Sequence, residues 1–555
     1  KQYKMKRLAF LLFTGLLTFQ AFSQEKSQEQ PKLVVGIVVD QMRYDYLTRF
    51  WDRFGEDGFK KLVNEGYNFK NNHFNYVPTY TGPGHASVYT GTSPMNHGII
   101  GNGWYDKFIH ESVYCAGDDS VEPVGTEDDA GKMSPHRMKT TTVSDENRLH
   151  TQMRGKTIGV SIKDRGSILP AGHTANAAYW FHGDDEGKWI TSSYYMEELP
   201  QWVKDFNDSD KVEAYLKPWN TLYDIETYKE SGSDKNNFEG GFRGKEDAIF
   251  PYDLAELSKE NGGFDIIENS AYGNDITLEF ALAAIEAEEL GQDVDTDFLT
   301  LSFSSTDKIG HNFGVNSKEI QDTYLRLDKN IAQLLEELNE KVGKGNYTIF
   351  LTADHGGGDV PAYLDSVNIP AGYFESDEFR EELEQFVSEE FDEDELIESV
   401  YNNQIFFNYE VMEEAGISSS ELQSKMAHYI LQLDQIDKVY TRDQLSSGSF
   451  VSGAGVAIQN GFNQKRSGDV VYVLDPATIV YSRTGSTHGS GLMYDTHAPL
   501  IFYGNGVKKG STTQRTEIVD IAPTLSALLG ISFPSGTTGK PLYMMLDAEE
   551  TEVSE

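Results

Sequence analysis

The sequence predicts an α/β fold, a mostly parallel central sheet flanked by helices with inserted cap segments, and three observations predict it. The apolar, β-branched run Leu33 to Val39 has the composition of a strand buried on both faces. Similar runs, Thr157 to Lys163, Asp297 to Ser304 and Tyr347 to Thr352, alternate with helix-period segments. Carboxylates and histidines then collect just after these runs, at the strand ends where α/β sheets place their sites.

Residues 1–23 are set aside first. Lys6 and Arg7, an apolar stretch from Leu8 to about Phe19, and Ala21-Phe22-Ser23 before Gln24 read as a secretory signal peptide. A transmembrane anchor wants roughly 20 apolar residues, and this run is shorter and interrupted by Thr14, Gly15 and Thr18. The remainder, 32–555, is long enough for one large domain with insertions or two to three smaller ones, and is read as the former.

Its first strand, Leu33 to Val39, should lead into a helix over Tyr44 to Asn64. After the strand Asp297 to Ser304, Asn316-Ser317-Lys318-Glu319 reads as a helix cap followed three residues later by Glu. That helix carries Ile320, Leu327, Ile331, Leu334, Leu335 and Leu338 on one face. Val470 to Leu474 and Pro499 to Tyr503 read as late strands, and Ile518 to Leu529 as a late helix. Between about 170 and 273 the alternation fades into aromatic and glycine-rich sequence (Tyr194, Tyr195, Trp202, Trp219, Gly240, Gly241), predicting a cap inserted over the sheet. A second insertion is expected at about 360–480; in it Phe379, Leu383, Phe386 and Phe391 punctuate an acidic run at near-helical spacing, as on a surface helix.

The formal charge of -41 argues against nucleic acid or an anionic membrane as a partner. The single cysteine, Cys115, excludes an intramolecular disulfide, so an exported chain of this kind is held by its core or by metal.

The chemistry sits in Asp40, Asp307-x-x-x-His311, Asp354-His355 and His488. Mixed oxygen and imidazole donors suit zinc, and the set is large enough for two ions. Alone, each piece is ordinary: Asp-x-x-x-His arises by chance, and an Asp-His pair is more often a cap. Their joint placement after three strands is what points to a metal centre. Thr81, just before Gly82-Pro83-Gly84, falls at a predicted helix N-terminus, where backbone N–H groups and the dipole favour an anion. It is the candidate nucleophile; the plainer reading is a threonine cap, and Thr79 is the rival.

These motifs, with Asn102 in His97-Gly98-Ile99-Ile100-Gly101-Asn102, Lys163-Asp164-Arg165 and His488-Gly489, resemble the alkaline phosphatase superfamily, and within it the PafA-type periplasmic phosphatases with a threonine nucleophile. The resemblance runs from about 32 to about 545 in the family's order. It implies a secreted or periplasmic, monomeric phosphate monoesterase with two Zn2+ and no stable membrane anchor, acting on small-molecule phosphate monoesters. One zinc would be held by Asp40, Thr81, Asp354 and His355, the other by Asp307, His311 and His488. Thr81 would form a covalent phosphothreonine, with Asn102, Lys163 and Arg165 on the phosphoryl oxygens. The Lys-x-Arg pair marks the monoesterases off from the related nucleotide pyrophosphatases and phosphodiesterases. His497 competes with His488, but the glycine-flanked His488 matches better; His497, His85 and His97 are read as supporting histidines.

A phosphodiesterase or nucleotide pyrophosphatase of the same superfamily is the nearest alternative. A sulfatase is disfavoured, because Cys115-Ala116-Gly117 lacks the Cys-x-Pro-x-Arg context. From another class, a non-catalytic secreted metal-binding module would close its zinc sites with four protein ligands.

Overall fold

A computed structural model describes residues 30–547; the segment read as a signal peptide lies outside the described residues. The centre is a sheet of ten strands: β1 (Leu33–Val39), β2 (Tyr67–Phe69), β3 (Pro123–Val124), β4 (Thr157–Ser161), β5 (Ala177–His182), β6 (Lys188–Ser192), β7 (Asp297–Phe303), β8 (Tyr347–Thr352), β9 (Leu500–Gly504) and β10 (Gly510–Thr512). Their order is β10-β2-β9-β8-β1-β7-β4-β5-β6-β3. The middle of the sheet, β8 through β5, is parallel, and β9 and β6 flank it antiparallel.

Every residue of β1, β7 and β8 is buried, which is why these strands read as continuous rather than alternating apolar runs. Their ends are level: Val39 lies opposite Phe303, Val38 opposite Thr352, and Ser302 opposite Ser161. Asp40, Ser304, Ala353 and Ile162 therefore all emerge at one edge of the sheet.

Five helices matter for the site: α1 (Thr81–Thr90), α2 (Asp164–Ala171), α3 (Tyr272–Ala287), α4 (Ser305–Phe313) and α5 (Lys318–Leu338). α1 packs on α2, and α5 on α3 and α4. The six apolar residues read as the inner face of α5 are all buried.

Local differences from the sequence reading have tertiary causes. The expected helix over Tyr44 to Asn64 is broken into Asp45–Arg49, a 3-10 turn at Trp51–Arg53, and Phe59–Glu65. Asp328 of α5 takes the N–H groups of Gly55 and Phe59 at 2.7 and 2.8 Å, so the break is capped from outside. The cap of α5 is Ser317, which accepts from Ile320 N at 3.1 Å. Asn316 instead accepts from Arg49, and Glu319, the residue expected to close the cap, points into the interior. The late helix begins as a 3-10 turn at Ile518–Asp520 before Ile521–Leu529.

Within 170–273, β5 and β6 belong to the central sheet; the rest is a cover of short elements around buried Trp219 and Tyr252. Within 360–480, four antiparallel strands, Ile397–Tyr401, Gln404–Phe407, Ile436–Thr441 and Val470–Leu474, form a separate sheet. That sheet has its own core, including Leu383, Phe407, Leu422 and Met426, and the acidic helix Ser376–Phe391 covers it. Val470–Leu474 is a strand as expected, but of this second sheet.

The close packing of β1 gives a test. A Cβ at Gly36 would come within 2.1 Å of Tyr89 Oη and 2.6 Å of Phe350 Cζ, both rings fully enclosed. Gly36→Ala should destabilise the fold by about 1–3 kcal/mol through overpacking, read as a lower urea midpoint at unchanged m-value; an unchanged midpoint contradicts this packing.

Candidate active site

The level strand ends bring the predicted residues together. Asp40 follows β1, Asp307 lies in the first turn of α4 after β7, Lys163 and Arg165 bracket the start of α2 after β4, and Asp354-His355 follow β8. Thr81 opens α1, and His488 arrives on the loop before β9. Asp40, Thr81, Asp354 and His355 are at most 1 % exposed, and Asp307 4 %. Thr79 points elsewhere: its hydroxyl donates to Ser490 O at 2.9 Å.

Two clusters of donor atoms form, each with its ligating atoms within 4.8 Å of one another: Asp307 with His311 and His488, and Asp40 with Asp307 and His355. Asp307 thus joins both, where the family resemblance gives it to one. His355 Nε2 lies 3.5 Å from Asp40 Oδ1, 3.4 Å from Asp354 Oδ2 and 3.5 Å from Thr81 Oγ1. Asp307 Oδ1 lies 3.2 Å from His311 Nε2 and 3.6 Å from His488 Nε2.

Each histidine is aimed by its other nitrogen. Nδ1–H donates to a backbone carbonyl in all three: His311 to Ser486 at 2.8 Å, His355 to Gly356 at 2.8 Å and His488 to Thr79 at 2.7 Å. A carbonyl can only accept, so Nδ1 carries the proton and each Nε2 is turned to the carboxylates; burial alone would lower the pKa of His311, but Asp307 at 3.2 Å outweighs it and raises it. Burial, with His355 stacked at 3.5 Å, drives the pKa of His488 well below the usual imidazole range and keeps it a neutral donor.

The donors fit divalent metal. Asp40 Oδ1 and Asp354 Oδ2 are buried with no hydrogen-bond partner, and an orphaned buried carboxylate oxygen is costly unless a cation meets it. Burial and the neighbouring charges of Asp307 and Asp354 push Asp40 well above the carboxylate range. Burial also opposes ionisation of Asp354, but His355 and His85 outweigh it and hold Asp354 low.

Lys163 is the single Lys or Arg ion-paired to these carboxylates among the described residues. Its Nζ donates to Asp40 Oδ2 at 2.7 Å and Asp307 Oδ2 at 2.5 Å. Lys163 therefore holds one oxygen of each carboxylate and turns the other toward the histidines. Arg165 Nη1 donates to Tyr114 Oη at 2.9 Å, and that hydroxyl donates to Asp164 Oδ1 at 2.5 Å; Arg165 Nε is buried without a partner. Asn102 accepts through Oδ1 from the N–H of Gly82, the residue after Thr81, at 2.7 Å.

Of the supporting histidines, His85 lies 3.4 Å from Asp354 and 2.9 Å from Ser302, His97 is 2.9 Å from Ser87, and His497 is stacked between Tyr44 and His73 away from the donors. The sequence reading missed Gln41 and Tyr114. Gln41 Nε2 donates to Asp307 Oδ1 at 2.7 Å and its backbone N to Asp354 Oδ1 at 3.1 Å. The signal for it is Gly310 inside Asp-x-x-Gly-His, where a Cβ would fall 1.9 Å from Gln41 Oε1. Tyr114 carries no motif; it is found only through the hairpin that pairs it with Gly103, next to Asn102.

A parallel sheet with buried carboxylates and imidazoles beyond its strand ends, facing a threonine at a helix N-terminus, is the architecture of the alkaline phosphatase superfamily. Residues 34–499 match the family described as Type I phosphodiesterase / nucleotide pyrophosphatase, and the chain belongs to it. A relative in Myroides odoratus named "Calcium-transporting ATPase" is 44% identical, over 97% of this chain and 99% of its own. Alkaline phosphatase PafA of Elizabethkingia meningoseptica is 42% identical, over 96% and 97% of the two chains. The crystal structure of wild type alkaline phosphatase PafA superposes with a TM-score of 0.90 at 42% identity, covering 93% of this chain and 99% of that one.

Because Gln41 touches both halves of the donor set, Gln41→Leu should weaken retention of divalent metal by about 10–100-fold in a chelator titration. Retention equal to the unaltered chain would remove Gln41 from the site's support.

Proposed function

We propose that the protein is an exported phosphomonoesterase with two zinc ions that hydrolyses phosphate monoesters through a phosphothreonine on Thr81. The observation that carries this reading is the position of Thr81 at the N-terminus of α1, 3.5 Å from His355 Nε2 and beside Asn102. Its support from outside the chain is the near full-length similarity to an alkaline phosphatase.

Asp40, Thr81, Asp354 and His355 would hold one zinc and Asp307, His311 and His488 the other. When bound, the ions supply positive charge that stabilises an alkoxide nucleophile and a departing ester oxygen. Thr81 Oγ1 forms a bond to phosphorus as the ester P–O bond breaks and the alcohol leaves. Water then cleaves the Thr81–phosphate bond, releasing inorganic phosphate and restoring the hydroxyl. Asn102 and the helix N-terminus present N–H groups to the phosphoryl oxygens, and Arg165 adds a fixed positive charge. The buried, unpartnered Nε of Arg165 is a donor of the kind an oxyanion would satisfy. A monoester dianion carries more charge there than a diester, so Arg165 favours monoesters. Among the described residues no helix is long and apolar enough to cross a membrane.

Thr81→Ala should lower turnover of an aryl phosphate monoester at least about 10³-fold with zinc content kept; near-normal turnover rejects this nucleophile. The diesterase reading is separated by Arg165. Lys163 also balances two buried carboxylates, so its removal would disturb metal binding as well, and Arg165→Ala is the cleaner probe. It should cost about 10²–10³-fold in monoester kcat/KM and far less with an aryl phosphate diester. Equal losses would remove the argument for monoesters.

A further inference from the structure

Arg165 and Asp164 are neighbours at the start of α2, and a guanidinium left alone beside a carboxylate closes to about 2.7–2.9 Å. Here Arg165 Nη1 stands 4.0 Å from Asp164 Oδ1. The hydroxyl of half-buried Tyr114 lies between them, accepting from Nη1 at 2.9 Å and donating to Oδ1 at 2.5 Å. A guanidinium can only donate and a carboxylate only accept, so the one proton of this hydroxyl is committed to Asp164 and a lone pair to Arg165.

The arrangement leaves one edge of Arg165 free. Tyr114 takes Nη1; Nε and Nη2 make no hydrogen bond among the described residues, and Nε is buried. The N–H groups of Nε and Nη2 lie side by side and point the same way, as the fork that grips two oxygens of a phosphoryl group. Without the hydroxyl, Arg165 would turn onto Asp164, and its charge would be directed to that carboxylate.

Tyr114 is itself held by parts of the chain remote from α2. It ends the hairpin strand Glu111–Tyr114, opposite Gly103 of the strand Gly103–Asp106. Gly103 O accepts from Asn402 of the second insertion at 2.8 Å, and Cys115, the residue after Tyr114, donates its N–H to Asn102 O at 2.8 Å. A Cβ at Gly82 would meet Cys115 Sγ at 3.2 Å, so the end of the hairpin also closes on the start of α1. One hairpin thus fixes Tyr114 and Asn102 together beside Thr81.

Resting on the monoesterase reading above, we propose that Tyr114 is a positioning residue: its hydroxyl spaces Arg165 from Asp164 and aims the free edge of the guanidinium at the phosphoryl oxygens of a monoester dianion. Its effect on the reaction passes through Arg165.

The test is a double-variant cycle in the metal-loaded full chain, read as kcat/KM for an aryl phosphate monoester and for an aryl phosphate diester. Tyr114→Phe keeps the ring and its packing and removes the hydroxyl alone. It should lower monoester kcat/KM by about 10-fold and diester kcat/KM by less than about twofold, with metal content and Tm kept. In the Arg165→Ala background the same change should cost less than about twofold on either substrate, because the group it aims is gone. A merely structural role predicts equal losses on both substrates, undiminished in Arg165→Ala. That pattern, or no monoester loss in Tyr114→Phe, overturns the positioning and leaves the monoesterase reading standing. Absence of monoester turnover in the unaltered chain overturns the reading itself, and the positioning with it.

Discussion

Everything at the catalytic edge answers to one electrostatic constraint: Asp40, Asp307 and Asp354 are buried together beyond three adjacent parallel strands. Like charges enclosed in low dielectric repel and lose their hydration, and the set persists only if cations and donors replace the water. Lys163 replaces part of it, taking one oxygen from Asp40 and one from Asp307. Gln41 takes another part. The oxygens that remain orphaned, Asp40 Oδ1 and Asp354 Oδ2, are the ones that approach His355. The protein's own groups neutralise the carboxylates incompletely, and the deficit is located where metal would sit.

The sheet makes this arrangement rigid. Because β1, β7 and β8 are paired in level register, a carboxylate one to four residues past each strand end is fixed to within the reach of its neighbours. The glycines keep the approach close: a Cβ at Gly84 would come within 2.3 Å of the Asp354 carbonyl, so α1 and the loop after β8 are in backbone contact. Positioning of this kind is what phosphoryl transfer asks of a protein, since there is little covalent chemistry beyond the nucleophile to supply.

Much of this was legible in the sequence, for a physical reason. Strands buried on both faces write themselves as continuous apolar runs, and residues just after such runs land at a shared edge, so Asp40, Asp307 and Asp354 could be grouped without a structure. His311 is legible through its Asp-x-x-x-His spacing, and His488 through glycine context and family resemblance. The rest depends on contacts between segments far apart in the chain. The break in the helix after Tyr44 is set by Asp328, some 270 residues away. Glu319 fits a capping pattern, yet burial beside Tyr252 outweighs the local cap, and Ser317 serves instead. The family resemblance puts Lys163 on the phosphoryl group; its ion pairs to Asp40 and Asp307 depend on the pairing of β4 with β7, which no local pattern encodes.

The insertions reach the centre at two different places, which bears on how specificity is built. The first touches the α4 side, through Gly240 on Asn312 and Phe238 on Gly485. The second touches the Asn102 side: Asn402 Nδ2 donates to Gly103 O at 2.8 Å, directly after Asn102, and a Cβ at Gly101 would meet that same amide at 2.6 Å. Neither contact places an insertion side chain on Thr81. Thr81 and its helix belong to the sheet core, while His311 and Asn102 are propped from outside it. A fold arranged in this way can vary the surroundings of His311 and Asn102 by altering the props, with the geometry held by β1, β7, β8 and α1 left in place.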